Sequence, residues 1–493
     1  MAHPTGQNSI NIMETVKVIL SGITVEPILF LTVISDMIYK IVVQNLYMEK
    51  ACRVSLLMNS TTCDAMSKRN QSGYTVSEEI EVQKLSSGLM AIANALNGLF
   101  PVILALFIGS WSDRHSLRKP IILAPAIGLL LTLFSAILNA IFFYELPIIF
   151  TVISDATFLP ILGGLPCLFL GVFSYVGAIS NDENKTVRMG TISTTHCVSM
   201  VLGIGASGFL YNYLGFTFTF TLCAVLVSTG ILLGHLLIKD IPIEKNENNQ
   251  ECGIKPRKSF LCDFFDVRYL LNTFRVCFKS NKNNRRYKIL ALMLLGIATG
   301  GPTHGEIAVS YLYSRYRYGW SVMEYSAFSF IHFISQSFAS VVSLALFSKY
   351  LKWEDATLGM VGITSSIAGS LICAFAKSGE LFIIGGVVDC LMIAAHISLR
   401  SMLAKIVPPN ELGQVYSIFG VFQALSHFLF SPFYNLLYRS TITFFPGAFF
   451  LFSVGVKLIG LCFFIFLYLE TIKSKKIQSK TKKEELVGLK TFC

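Results

Sequence analysis

Stretches of about twenty apolar residues, the length a helix needs to cross a bilayer, recur along the whole chain. They predict spans near 24–47, 86–109, 119–141, 156–179, 189–210 and 216–238, then near 288–311, 322–347, 356–376, 381–404, 412–436 and 444–470. In hydrocarbon each segment must pair its own backbone N–H and C=O groups, so such a chain is helical. The expected fold class is an all-α membrane protein with twelve transmembrane helices in two six-helix bundles. Its parts are a cytosolic N-terminus 1–23, an N-terminal bundle 24–238 with an outside loop 48–85, a basic cytosolic loop 239–287, a C-terminal bundle 288–470 and a basic cytosolic tail 471–493. Only 14% of the 493 residues are charged, against about a quarter in a soluble domain. The first apolar run begins near Ile23, too far in and too long for a cleaved signal, and reads as an uncleaved anchor.

Orientation follows from lysine and arginine, which accumulate on the cytosolic side. Segment 239–287 holds eleven Lys and Arg against six Asp and Glu, and 471–493 holds seven Lys. Short turns carry Arg118 and Lys119, Lys185 and Arg188, Lys349 and Lys352, and Lys405, whereas 142–155 and 211–215 carry none. Loop 48–85 is the exception, outside yet with several basic residues, which Glu49, Asp64, Glu78, Glu79 and Glu81 offset. It contains two N-x-S/T acceptors, Asn59 and Asn70, which are expected to carry glycans; a third, Asn184, falls on the cytosolic side. Of twelve cysteines only Cys52 and Cys63 fall on the outside, and they alone are disulfide candidates. The rest lie in apolar runs or lack zinc-like spacing, so no metal is expected. The net charge of +11 sits in loops on one face of the bilayer, which argues against a nucleic-acid partner. There is no HExxH, GxSxG or Walker string, so neither an enzyme, a cofactor nor an ATP-driven pump is expected. Gly203, Gly205 and Gly208 have dinucleotide-loop spacing, but within an apolar run they read as a close helix-packing face.

The string GSWSDRHSLRKP, 109–120, joins helices 2 and 3 and sets Asp113 beside Arg114, Arg118 and Lys119. Such a cluster can pair with a neighbouring helix end and hold one conformation shut; the alternative is a solvated basic turn. The string resembles the major facilitator signature: Gly109, Asp113, Arg114 and Arg118 match it, and Ser116 and Leu117 depart from it. TVEPILFL at 24–31, SYVGAISNDENKTVRMG at 174–190, WEDATLGMVG at 353–362 and RSMLAKIVPPNELGQVYSIFG at 400–420 resemble the solute carrier 46 group. The resemblance implies a major facilitator fold, alternating access and uptake of organic anions, often driven by protons. Substrates across that group include folates, steroid conjugates and muropeptide-like molecules. The folate branch carries carboxylates in helices 4 and 5, where this chain has Leu165, Ala178 and Ser193. That branch also ties its first outside loop to the one after helix 7. Residues 312–321 lack a cysteine, so the resemblance leaves a local Cys52–Cys63 bridge.

A charge within a span costs about 2.5–3.5 kcal/mol on insertion scales, so it faces a partner or a cavity. Asp36 and Lys40 are four apart in helix 1 and can pair on one face; they are read either as a self-satisfied pair or as a substrate or proton site. Lys457, in the middle of the last span, either finds a carboxylate or lines the cavity. TGGPTHGE at 299–306 is expected to interrupt helix 7 and to place His304 and Glu306 at a ligand site; the alternative is a kink with a satisfied polar pair. Helix 10 carries Asp389, His396 and Arg400. Arg400, with Lys457 or His304, is the candidate for an anionic group of the substrate, or else one more cytosolic-side arginine. His196, His235, His332 and His427 read as packing groups. The expected function is a secondary active transporter of a small organic anion, with protons as candidate coupling ion. The alternative is a transport-inactive receptor or scaffold with the same fold. The tail EELVGLKTFC lacks a clear acidic dileucine signal, which points to the plasma membrane, with a lysosomal or endosomal membrane as the alternative.

Overall fold

The computed structural model describes residues 23–115, 117–180, 182–239, 264–265, 285–343, 347, 350–351, 353–407 and 412–490, with side chains at 109–110, 112–115, 182–187, 412–414, 416–417, 471 and 473–490 excepted. Among the described residues there is no strand. The helices are α1 Glu26–Lys50, α2 Ser60–Ser67, α3 Val76–His115, α4 Lys119–Ile141, α5 Ile148–Ile161, α6 Gly164–Ile179, α7 Asp182–Leu237, α8 Arg285–Tyr318, α9 Val322–Val342, α10 Asp355–Phe375, α11 Gly379–Val388, α12 Met392–Ile406, α13 Leu412–Thr441 and α14 Ala448–Lys490. Seven stretches among the described residues are long and apolar enough to cross a membrane: Val76–Ile108, Lys119–Ile141, Ile148–Ile179, Arg188–Leu237, Asp355–Phe375, Gly379–Ile406 and Ala448–Glu470. Two compact units emerge, 1–50 with 99–266 and 51–98 with 267–493, so the division runs through α3.

In the first unit α1 lies along α7. A Cβ on Gly203 would sit 2.7 Å from the Ile34 carbonyl oxygen, so the glycine spacing serves close approach. Gly215, at φ 68°, breaks α7 between the two spans expected there. Helix 4 starts eight residues earlier than its apolar run suggested. Pro147 caps α5 in an extended conformation, a place where a missing N–H costs nothing. Asp155, expected in a loop, therefore lies two turns inside a helix. Lys50 is fully buried; its ammonium donates to Asn139 Oδ1 at 2.9 Å and to the Leu146 carbonyl at 3.0 Å. Arg118 Nε donates to Ser174 Oγ at 3.1 Å, tying the start of α4 to α6. The side chains of Gly109, Asp113 and Arg114 lie outside the described residues.

In the second unit Leu292, Met293 and Leu295 of α8 pack with Ile363, Leu399, Leu403, Phe419 and Phe464 from α10, α12, α13 and α14. The interruption expected at TGGPTHGE does not occur: α8 runs through Pro302 without a break. Proline removes one backbone donor, and the neighbouring glycines let α13 pack closely against the continuous helix. A Cβ on Gly305 would meet the Tyr434 ring at 2.5 Å, and one on Gly301 the Phe430 ring at 2.7 Å.

Residues 51–75 form a compact hairpin on this unit. Cys52 and Cys63 are disulfide-bonded, with Cα atoms 6.0 Å apart. Arg69 fastens it: Nη1 meets Glu79 Oε1 at 2.7 Å, Nη2 donates to the Arg315 carbonyl at 2.6 Å and Nε to the Gly319 carbonyl at 3.3 Å. Arg315 Nη2 returns a bond to the Met66 carbonyl at 3.1 Å. Thr75 and Glu78 cap α3 reciprocally, at 2.7 and 3.3 Å, which starts that helix ten residues ahead of the expected span. Hydrogen bonding and charge from Arg53 hold the Asp64 carboxyl below the usual range, and the Thr75 amide and hydroxyl do the same for Glu78. Stability linked to these lowered carboxyls is present above the ordinary carboxylate range and lost only as pH falls through the depressed values, so the hairpin keeps its charges in a mildly acidic compartment.

Asn59 and Asn70 are both exposed, and among the described residues each uses only Oδ1, accepting from Thr61 N at 3.2 Å and from Ser72 Oγ at 2.8 Å. Their amide nitrogens remain open for modification. Glycans are expected on both and not on Asn184, whose side chain lies outside the described residues. A glycosidase-sensitive shift that survives in the Asn59→Gln/Asn70→Gln double variant would show that expectation to be wrong.

Candidate functional site

Each unit carries a polar cluster inside its apolar packing. In the first unit Asp36 and Lys40 of α1 pair at 2.7 Å, with Asp36 fully buried and Lys40 half-exposed. The pair is out of hydrogen-bond alignment, so among the described residues neither Asp36 oxygen has a hydrogen bond. One turn along, Tyr39 donates its hydroxyl to Asp155 Oδ1 at 2.9 Å, and Tyr47 donates to Oδ2 at 3.3 Å. The cluster thus holds two carboxylates and one ammonium.

In the second unit Lys457, 1% exposed, reaches Glu306 Oε1 at 2.8 Å. Its ammonium also donates to Ser370 Oγ at 2.7 Å, and Ser370 bonds the same Glu306 oxygen at 3.1 Å. Of the two readings of Lys457, the structure places a carboxylate beside it. Asp389 stands on a tight 3-10 turn between α11 and α12 and accepts from Ser366. His332 Nδ1 lies 2.9 Å from the Gly386 carbonyl and Nε2 lies 3.1 Å from Gln336 Nε2. A neutral imidazole satisfies both contacts, donating through Nδ1 and accepting at Nε2. Asp389 Oδ2 stands 3.9 Å from that Nε2, close enough to feel a charge on the ring.

Gln336 also faces a cavity of about 200 Å³, lined by Gly300, Thr303, His304, Gln336, Met392, Ile393, His396 and Gln423. Its walls mix apolar side chains with two imidazoles and two primary amides. His304 meets His427 edge-on, ring centroids 5.2 Å apart, and Ser431 Oγ contacts His427 Nδ1 at 3.3 Å. Arg400, one turn beyond His396, is exposed and does not line the cavity. Close by on α12, Ser401 and Lys405 bond Asp355 at 3.0 and 2.7 Å. Sequence reasoning missed Asp155, Ser370, Gln336 and Gln423; His332, read as a packing group, contacts the Gly386 carbonyl of α11. The four-residue step from His332 to Gln336 was the one local signal available.

A family model described as Major Facilitator Superfamily matches residues 28–431. The lysosomal proton-coupled steroid conjugate and bile acid symporter SLC46A3 of Gallus gallus is 28% identical, over 89% of this chain and 92% of that protein. The probable peptidoglycan muropeptide transporter SLC46 of Drosophila melanogaster is 22% identical, over 88% of this chain and 84% of its own. Among solved structures, the human organic anion transporter MFSD10 (TETRAN) superposes with a TM-score of 0.60 at 14% identity, over 92% of this chain and 99% of that one. A POT family transporter reaches 0.59 at 14% identity, over 91% and 96%. Such distant likeness speaks for the fold alone, an all-helical transporter fold. The chain belongs to the Major Facilitator Superfamily, and within it to solute carrier family 46. It is a multi-pass membrane protein.

Proposed function

We propose that this protein is a twelve-helix secondary transporter that moves a small organic anion by alternating access, coupled to protons. Counting α5 with α6 and α11 with α12 as single broken crossings, and α7 as two, supports twelve spans. The observation that carries the anion reading is the cavity with His304, His396, Gln336 and Gln423 set among apolar walls. Protonated imidazole offers two N–H donors and a charge, and the amides offer neutral donors. At about 200 Å³ the space suits an anionic head group with part of a hydrophobic body rather than a whole drug-sized ligand. The names of the relatives favour steroid conjugates, bile acids or muropeptides as substrate class, and the lysosomal membrane over the plasma membrane. The two sequons and the disulfide-bonded hairpin support an outward or lumenal placement of 51–75.

Counterflow in proteoliposomes tests the reading, with sterol sulfates, bile acids, folates and muropeptides offered at about pH 5.5 and pH 7.4. Exchange of at least one of these anions is expected; exchange of none leaves the receptor or scaffold reading. His304→Ala and His396→Ala should each raise the half-saturation concentration about tenfold, the worth of one charge-assisted contact of roughly 1.5 kcal/mol. Unchanged half-saturation in both variants, at matched abundance, would move the binding site elsewhere.

A further inference from the structure

We propose that Asp155, held between Tyr39 and Tyr47, is a proton-binding site of this protein. The proposal rests on the proton-coupled reading above and assigns the proton to an atom. Asp155 lies two turns into α5; among the described residues it makes no ion pair, and its hydrogen-bond partners are the two phenols of α1. Among the described residues the one ammonium within electrostatic reach, Lys40, is already 2.7 Å from Asp36. Helix α4 brings no titratable side chain near, its sole one being Lys119 at the far end. Of the titratable groups of α6, Cys167 and Tyr175, the Tyr175 hydroxyl accepts from Lys239 N at 3.4 Å. One fully buried carboxylate, Asp36, and one partly buried, Asp155, therefore share one cation, and a charge withdrawn from water without its own partner is expensive. A proton is the smallest ion that removes the excess.

The two phenols fit both protonation states. With Asp155 ionised, each hydroxyl donates to its own oxygen. The Tyr47 contact, 3.3 Å against 2.9 Å at Tyr39, is the looser, so Oδ2 takes the proton. The new O–H then donates to the Tyr47 oxygen, because a phenol can accept as well as donate, while Tyr39 keeps its bond to Oδ1. Both carboxyl oxygens therefore keep a hydrogen-bond partner in either state, and the Tyr47 hydrogen turns away from the carboxyl when Oδ2 is protonated. Half-exposed Lys40 follows Tyr39 directly in α1, where protons can arrive beside the Asp36 pair. The folate-branch carboxylates of helices 4 and 5 are absent here, and Asp155 occupies a different position, ten residues before Leu165.

Infrared difference spectra of the full chain in lipid, taken between about pH 7.5 and pH 5, need no substrate. A protonated carboxyl C=O band is expected in the parent and absent from Asp155→Asn. The same band in Asp155→Asn overturns the assignment. Tyr39→Phe retains the carboxyl but removes the donor on Oδ1, so the band should change frequency; a band that does not move overturns the proposal even where Asp155→Asn fails to fold. Sterol sulfate counterflow by the parent is measured alongside. If no anion is exchanged while the band follows Asp155, the transport reading fails and the proton site stands. If exchange proceeds while the band ignores Asp155, the proton site fails and the transport reading stands.

Discussion

Glu306→Gln is expected to be the most damaging conservative change in the second unit, cutting the yield of folded protein and lowering its melting temperature in detergent. The substitution keeps size and shape but leaves the Lys457 ammonium, 1% exposed, with neutral acceptors alone at close range among the described residues, Ser370 Oγ and the amide oxygen. Removing one member of a buried ion pair costs about 3–5 kcal/mol, a large share of the 5–15 kcal/mol that holds a typical domain. Lys457→Met should be milder. It leaves a carboxylate that is 15% exposed and still bonded to Ser370. The double variant Glu306→Gln/Lys457→Met removes both charges and should recover most of the loss. The expected melting order is parent, double variant, Lys457→Met, Glu306→Gln, and the double-mutant cycle measures the coupling directly. Parent-like melting of Glu306→Gln would show that the pair holds nothing together.

That pair marks the boundary of what the sequence alone could show. Lys457 and Glu306 are 151 residues apart, and no spacing rule links them; their partnership exists only once α8, α10 and α14 pack. Asp36 and Lys40, by contrast, were legible because a four-residue step fixes their contact on one helix. Span 119–141 was read to the residue as α4, since uninterrupted apolar sequence leaves helix no rival in lipid. Helix 4 was misplaced for the opposite reason. An acid at 155 looks like a membrane boundary until Tyr39 and Tyr47, 116 and 108 residues away, arrive to solvate it. At 299–306 local glycine and proline predicted a break, and the tertiary contact of Phe430 and Tyr434 overrode it. The early start of α3 was in principle readable, because Thr75 and Glu78 have the spacing of a capping box; the charges around them hid it inside a presumed loop.

Arg69→Ala should free the disulfide-bonded hairpin from the second unit without unfolding the rest. Arg69 and Glu79 are 9% and 8% exposed, so the truncation leaves a nearly buried carboxylate without its guanidinium. It also leaves the Arg315 and Gly319 carbonyls without two donors. A penalty of roughly 3 kcal/mol corresponds to about a 100-fold rise in the undocked population. Hydrogen exchange at the amides of 60–75 in the intact protein reads this directly, and protease cutting in the same stretch should follow. Arg69→Lys keeps a charge for Glu79 but loses the planar fork that reaches two carbonyls at once, so it should fall between parent and alanine. The disulfide acts differently. Cys52→Ser/Cys63→Ser relaxes the hairpin internally by roughly 2–3 kcal/mol on the chain-entropy account and leaves every Arg69 contact in place. Faster exchange within 52–63 alone is therefore the mark of the lost crosslink, and faster exchange across 60–75 together with the first turn of α3 is the mark of lost docking. Exchange unchanged in Arg69→Ala would transfer the docking role to Arg315, whose bond to the Met66 carbonyl crosses the same contact.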